Sequence, residues 1–166
     1  MEIERKYLLT SDQLHSLVTD LDDFVLEVRY YLFCENDNEI RLTKRDNDNF
    51  MLDRMQLIQN ETNEHFVRKK DRIIISEAEF EALAKIVGNQ KPVERLHLKL
   101  NDQIELKVYQ GRHSGLIRAE VEFECVNDAN AYTPNFEHSG EITNTPVGRD
   151  ALLAKLEQEE VAQFVS

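Results

Sequence analysis

The segment Glu2-Ile-Glu-Arg-Lys-Tyr-Leu8 alternates two kinds of side chain from its first residue. Successive side chains of an extended strand point to opposite faces, so Glu2, Glu4 and Lys6 are expected to share one face. Two carboxylates about 7 Å apart on a strand form half a site for a hard divalent cation, and a nearby lysine suits an anion held beside that metal. The same alternation is also typical of an exposed, charged edge strand, and the segment alone leaves both interpretations open.

The motif Glu-x-Glu-x-Lys followed by Tyr7-Leu8 resembles the opening signature of the CYTH superfamily, the triphosphate tunnel metalloenzymes. This resemblance implies an α+β fold in which an antiparallel eight-stranded β-barrel with flanking helices forms a tunnel. In that family Lys and Arg of the lumen bind a triphosphate, while Glu and Asp hold Mg²⁺ or Mn²⁺. Because the resemblance in strand order extends over nearly the whole chain, we expect residues 1–166 to form a single tunnel domain.

A second carboxylate pair lies late in the chain, in the segment Ala119-Glu-Val-Glu-Phe123. Alternation places Glu120 and Glu122 on one strand face, and the segment resembles the second metal-binding strand of the family. The resemblance therefore implies a metal site in which Glu2 and Glu4 meet the second pair. Four carboxylates are ligands of the kind that Mg²⁺ and Mn²⁺ prefer. The predicted metal ligands are Glu2, Glu4, Glu120 and Glu122.

Basic residues occupy the positions at which the family binds phosphate. Arg41, in the alternating segment Glu39–Arg45, resembles the phosphate-binding arginine, although Thr43 replaces a second arginine. Arg54 matches a family lysine in charge, and Arg95 matches a basic position of a later strand. The predicted substrate-binding residues are Lys6, Arg41, Arg54, Arg68, Lys70, Arg72, Arg95 and Lys107. The predicted catalytic residues are Lys6, Arg41 and Glu4.

The sequence departs from the family pattern at several acidic positions. Lys70 and Arg72 stand where two carboxylates are expected, and Lys107 replaces an aspartate. Asn144 and Pro146 likewise interrupt the acidic and basic run near the end of the pattern. These exchanges remove candidate ligands of a second metal, so both a one-metal enzyme and a binding protein stay open.

Three functions are compatible with these motifs. The first is metal-dependent hydrolysis of a triphosphate, either inorganic triphosphate or a nucleoside or thiamine triphosphate. The alternative is a binding module that holds a phosphorylated nucleotide or polyphosphate without hydrolysing it. The third is an adenylate cyclase of the CYTH class, which needs an adenine pocket that no motif in the sequence identifies.

Composition narrows the class of partner. A net charge of −12 argues against general nucleic-acid binding, so a polyanion must be met by a local basic cluster. No apolar run approaches the ~20 residues of a membrane span, and no membrane association is expected. Two cysteines, Cys34 and Cys125, are too few for a disulfide scaffold, which predicts a cytoplasmic protein.

Helix signals flank the predicted strands. Apolar spacing predicts a helix over Ser11–Leu21 with Ser11 as N-cap, and Ser76–Glu79 forms a capping box for a second helix. A polar turn is predicted at 61–64, before a strand over 65–75. The chain is predicted to end in one amphipathic helix over Asp150–Phe164.

Overall fold

The computed structural model describes residues 1–58 and 66–165. The strands in this part of the chain are β1 Glu2–Leu8, β2 Val25–Glu35, β3 Asn38–Arg45, β4 Asn49–Ile58, β5 Phe66–Ile75, β6 Val93–Lys99, β7 Ile104–Tyr109, β8 Ile117–Phe123 and β9 Gly140–Glu141. The α-helices are α1 Ser11–Leu17, α2 Glu77–Ala84, α3 Val126–Ala131, α4 Asp150–Leu153 and α5 Gln158–Val165. Within these described residues, no helix combines the length and apolar character needed to cross a bilayer. The turn predicted at 61–64 and residue 65 of the predicted strand lie outside the described residues.

Eight antiparallel strands close into a barrel. Their order is β5-β4-β3-β2-β6-β7-β8-β1, and β1 pairs back onto β5 to complete the ring. This confirms the predicted eight-stranded antiparallel barrel with flanking helices. The short strand β9 pairs with β1 only at Tyr7 and Leu8, beyond the part of β1 that contacts β5.

The seam between β1 and β5 is short. Three residue pairs form it, Glu2 with Arg68, Ile3 with Val67 and Glu4 with Phe66, whereas β1 matches β8 over six pairs. The barrel is thus closed along less than half of β1. The residues that close it are those of the opening charged motif.

The alternation of the strands directs charge inward and apolar side chains outward. An outward apolar face must be covered, and the helices do this. Leu14 of α1 packs in one cluster with Tyr7, Leu106 and Val121. In the same way α2 covers the β3–β4 hairpin, because its Phe80 packs with Leu42 and Phe50, the two phenylalanine rings being 5.2 Å apart.

The helix ends differ in part from the sequence prediction. The capping box at Ser76 and Glu79 is present, but the N-cap of α1 is Thr10, whose hydroxyl accepts from the N–H of Gln13 at 3.2 Å. The predicted Asp150–Phe164 helix is two helices, α4 and α5. Arg112 donates to the carbonyl oxygens of residues 154 and 156 at 2.8 and 3.1 Å, and so binds backbone acceptors in the break between them.

Candidate functional site

A cavity of about 160 Å³ lies inside the barrel, and every side chain that lines it is charged. Ten are cationic and six are acidic, an excess of four positive charges in a chain whose net charge is −12. Half of the chain's twenty Lys and Arg residues are therefore gathered at this one place. The lining residues are Glu2, Glu4, Lys6, Arg29, Arg41, Arg45, Arg68, Lys70, Arg72, Arg95, Glu105, Lys107, Arg118, Glu120, Glu122 and Asp150.

The barrel brings together eleven of the twelve site residues predicted from the sequence. Alternation placed them on inward faces of six different strands, and closure of the sheet directs those faces into one lumen. The eleven are Glu2, Glu4, Lys6, Arg41, Arg68, Lys70, Arg72, Arg95, Lys107, Glu120 and Glu122.

Arg54 is the exception, and its prediction as a substrate-binding residue is wrong in position. Arg54 is exposed on the outer face of β4, whereas its neighbours Asp53 and Met55 are buried. The inward residue at this level is acidic: Asp53 accepts from Arg41 at 3.2 Å and from Arg72 at 2.7 Å. The prediction relied on the similarity in charge to a family lysine, and it therefore placed Arg54 on the wrong face of the strand.

The carboxylates of β1 are bound to cations of the same strand and of β5. Glu4 is buried and contacts Arg68 at 2.7 Å and Lys6 at 3.1 Å. Burial alone would raise the pKa of Glu4, but the charges of Lys6 and Arg68 outweigh burial and lower this pKa to about 2. Glu2 lies nearer the opening, where it pairs with Lys70 across the seam.

Neighbouring strands β7 and β8 carry a second group of paired charges. Glu120 contacts Arg118 and, at 3.4 Å, Lys107. Glu105 contacts His97 at 3.0 Å and Lys107 at 2.9 Å. Burial opposes ionisation of Glu105, yet the close imidazole of His97 and the charge of Lys107 lower its pKa to about 2.

Glu122 differs from the other lumen carboxylates. It lies opposite Glu4 in the β1–β8 register and is exposed near the opening. Partial loss of hydration of its carboxyl at the mouth of the cavity, and then the charges of four further carboxylates, raise its pKa; these are Glu105, Glu4, Glu2 and Glu120. A bound cation would relieve this repulsion.

The carboxylates of the lumen are chemically suited to a hard divalent cation, because they offer only oxygen atoms as ligands. Among residues 1–58 and 66–165, however, no three His, Cys, Asp or Glu side chains already stand together as a metal site. The reason is visible in the contacts: Glu4 and Glu120 are held by Lys and Arg side chains. A metal would have to exchange places with those cations.

The deepest part of the cavity contains an acidic residue that the sequence prediction missed, Asp150. Its carboxylate accepts from Arg29 at 3.1 Å, from Arg118 at 2.8 Å, from Arg95, and from the hydroxyl of Tyr109 at 2.6 Å. Burial acts against its charge, but the three guanidinium groups keep the pKa of Asp150 well below its usual range. Its location at the first turn of a short helix gives no local signal of this role.

A second buried acid, Glu27, organises the wall next to Asp150. It accepts from Arg95 at 2.9 Å, from Arg29 at 3.2 Å and from Arg45 at 2.7 Å. Glu27 was also missed, although strand alternation offered a signal, since Glu27 and Arg29 share a face of β2. Arg118, two residues before Glu120, could have been found by the same reasoning.

Three lumen arginines retain unused donors. The Nε–H groups of Arg41, Arg68 and Arg118 are buried and donate to no atom of the described chain. Burial and the neighbouring charge of Arg29 lower the pKa of Arg41, which shows that its guanidinium is only partly compensated. Buried donors of this kind are costly to leave unmet, so the lumen is suited to an anion.

Among known proteins, the matches to this chain are solved structures. No protein-family model matches the chain, and no curated protein sequence does. The chain is similar to the solved structure of the inorganic triphosphatase NE1496, with 27% identity over 93% of this chain and 94% of that one and a TM-score of 0.58.

Two further structures share the fold at lower identity. The PH1012 protein from Pyrococcus horikoshii OT3 is 16% identical over 78% of this chain and 84% of its own, with a TM-score of 0.55. HpAC1 from Hippeastrum, described as a putative adenylyl cyclase with a dominant triphosphatase activity, is 15% identical over 78% and 83%, with a TM-score of 0.52. The likeness to NE1496 covers more than nine tenths of both chains, and this chain closes into the eight-stranded barrel that its motifs predict, so the resemblance to the CYTH superfamily is confirmed.

Proposed function

We propose that this protein hydrolyses a small triphosphate inside the barrel with the help of a divalent metal. The observation that carries the proposal is the lining of the cavity, ten cations against six carboxylates. Since the cavity holds a charge of +4 and the whole chain −12, the remaining residues sum to −16. Small polyanions that enter are attracted, while nucleic acids meet an acidic exterior.

The phosphate oxygens are assigned to basic residues with unused donors or weak compensation. Arg41 and Arg68 each have an Nε–H that donates to none of the described residues, and Lys6 lies between the two carboxylate pairs at 3.1 Å from Glu4 and 3.8 Å from Glu120. Positioned positive charge is the main source of catalysis in phosphoryl transfer. We therefore assign Lys6 and Arg41 to stabilise the charge that develops on the transferred group.

The metal ligands proposed are Glu2, Glu4, Glu120 and Glu122, with Mg²⁺ or Mn²⁺ as the ion. When bound, such an ion polarises the terminal phosphoryl group and compensates its charge. The protein contributes to phosphate binding through the ion pairs of its lumen. If these carboxylates held the ion, Lys6 and Arg68 would lose their partner Glu4 and would be available to the phosphate oxygens.

Hydrolysis then needs no side-chain nucleophile. A water oxygen forms a bond to the terminal phosphorus while the bond to the bridging oxygen breaks, and inorganic triphosphate yields phosphate and diphosphate. The barrel wall orients the triphosphate and holds its charge, which is the work that phosphoryl transfer requires of a protein.

Inorganic triphosphate is the substrate that the lining favours. A nucleobase or thiazole ring needs an apolar or aromatic surface to stack upon, and the residues that line this cavity are all charged. ATP and thiamine triphosphate are accordingly ranked below inorganic triphosphate, and the cyclase reaction is ranked third. A binding module without turnover is the second candidate, because Glu4 and Glu120, two of the proposed metal ligands, are already paired with Arg and Lys.

The proposal is tested by measuring phosphate release from inorganic triphosphate, ATP and thiamine triphosphate, with Mg²⁺, with Mn²⁺ and with chelator. We expect release from inorganic triphosphate that requires the metal and is abolished by Glu4→Gln. Glu159→Gln serves as control, because it changes an exposed acid of α5. Metal-dependent release that survives Glu4→Gln would refute this site, and binding without release would establish the binding module.

Two broader expectations accompany this proposal. We propose that residues 1–166 act as one tunnel domain, and that the protein works in the cytoplasm. The free thiols of Cys34 and Cys125 agree with the second expectation.

A further inference from the structure

The inner end of the cavity holds a negative charge to which the proposed reaction gives no role. Asp150 is buried, and it accepts hydrogen bonds from Arg29, Arg95, Arg118 and Tyr109. Guanidinium groups that converge on oxygen acceptors form the usual binding site of a phosphate group. The carboxylate therefore sits where these three arginines would otherwise bind a phosphate of the substrate.

The chain around Asp150 fixes this carboxylate in place. The next residue, Ala151, and Leu153 are buried in a cluster with Tyr31 and Tyr109 of the barrel. On the other side Arg149 donates to Glu39 at 2.8 and 3.0 Å. A group anchored from both sides and bonded to three arginines does not withdraw when a ligand enters.

We propose that Asp150 is a built-in counter-anion that ends the phosphate site and thereby limits the length of polyphosphate that the tunnel accepts. This inference rests on the proposed function of the cavity. By compensating Arg29, Arg95 and Arg118, Asp150 leaves the substrate the part of the lumen around Lys6, Arg41 and Arg68. Asp150 is thus a specificity-determining residue, and a longer polyphosphate meets its negative charge instead of a free arginine.

Removal of this charge has two effects of opposite sign. Without ligand, three buried guanidinium groups lose a partner, so the protein becomes less stable. With a polyphosphate long enough to reach them, the ligand supplies the missing negative charge, so binding becomes tighter. A residue with only a structural role would weaken the binding of short and long polyphosphates alike.

The test compares the wild type with Asp150→Asn, which keeps the shape of the side chain and removes its charge. Asp71→Asn is the matched control, since it makes the same change on an exposed outward residue of β5. Dissociation constants for inorganic triphosphate and tetraphosphate are measured by calorimetry without metal, together with the melting temperature. We expect Asp150→Asn to raise the preference for tetraphosphate over triphosphate by about tenfold, the effect of one added charged hydrogen-bonded contact.

An unchanged preference in Asp150→Asn would overturn the inference while leaving the proposed function intact, provided that the wild type binds triphosphate. Tetraphosphate binding to Asp150→Asn and not to the wild type would support the inference. Failure of both proteins to bind either ligand would overturn the inference, whereas the proposed function is decided by phosphate release in the presence of metal. If Asp150→Asn is unfolded without ligand, circular dichroism is recorded with tetraphosphate. Refolding by tetraphosphate but not by triphosphate supports the inference, and no refolding with either overturns it.

Discussion

Replacement of Glu4 by glutamine tests whether the ion pairs of the lumen hold the metal-free barrel together. Glu4 is 5% exposed, and its carboxylate contacts Arg68 at 2.7 Å and Lys6 at 3.1 Å. Glutamine preserves the shape and removes the charge, so both cations stay buried with weaker compensation. The variant should fold but melt at a lower temperature.

The magnitude follows from the pKa of this carboxyl. A fall from 4.5 to about 2 corresponds to about 3 kcal/mol of stability at neutral pH. Loss of one partner of a buried ion pair costs about 3–5 kcal/mol, which agrees with that figure. For a chain of 166 residues, 3 kcal/mol lowers the melting temperature by about 6–12 °C.

Calorimetric melting in the presence of chelator measures this effect, and Glu122→Gln is its internal control. Glu122 lies opposite Glu4 on β8, but partial desolvation and then repulsion from the other carboxylates raise its pKa, so loss of its charge should keep or raise the melting temperature. Equal melting of the two variants, or a fall of less than about 2 °C in Glu4→Gln, would show that the lumen charges do not stabilise the barrel.

Three further predictions concern pH, metal and backbone. The lowered pKa values of Glu4 and Glu105 stabilise the folded state above pH 4.5, and this stability should be lost as pH falls to about 2, which urea midpoints measured without metal will show. In calorimetry, Glu122→Gln should weaken Mn²⁺ binding by at least about tenfold, whereas Glu159→Gln should leave it unchanged; equal effects would mark Glu122 as ordinary surface charge. Gly148→Ala should destabilise by at least about 1–3 kcal/mol in urea unfolding, because the added Cβ would meet a backbone carbonyl oxygen at 1.9 Å; unchanged stability would contradict the close approach seen here.

Most of the site could be predicted because it depends on strand alternation. Where the charged residues of a strand alternate with apolar ones, as in β8, the period of two identifies the inward face, and closure of the barrel makes the inward residues of different strands neighbours. The same reasoning fails at Arg54, because β4 carries apolar residues on both faces. The pattern of β4 does not define which face is inward, and the prediction of Arg54 rested only on its likeness in charge to a family lysine.

The rest of the site depends on contacts between distant parts of the chain. Asp150 follows Arg118 by 32 residues and Arg29 by 121, and it reaches both only because α4 packs onto the end of the barrel. Nothing in the sequence near Asp150 distinguishes it from an ordinary acidic residue at the start of a helix. The break between α4 and α5 likewise exposes a backbone carbonyl that accepts from Arg112, a residue from a different part of the chain.

The short β1–β5 seam closes the barrel at the binding site. Three residue pairs close it, and the ion pairs Glu2–Lys70 and Glu4–Arg68 connect its sides. A metal on β1 and a phosphate on β5 would replace these direct contacts, so ligand binding would shift the equilibrium between the open and the closed seam toward the closed one. Amide hydrogen exchange along β1 should therefore become slower as ligand occupancy rises. This slowing should be larger than in strands remote from the seam.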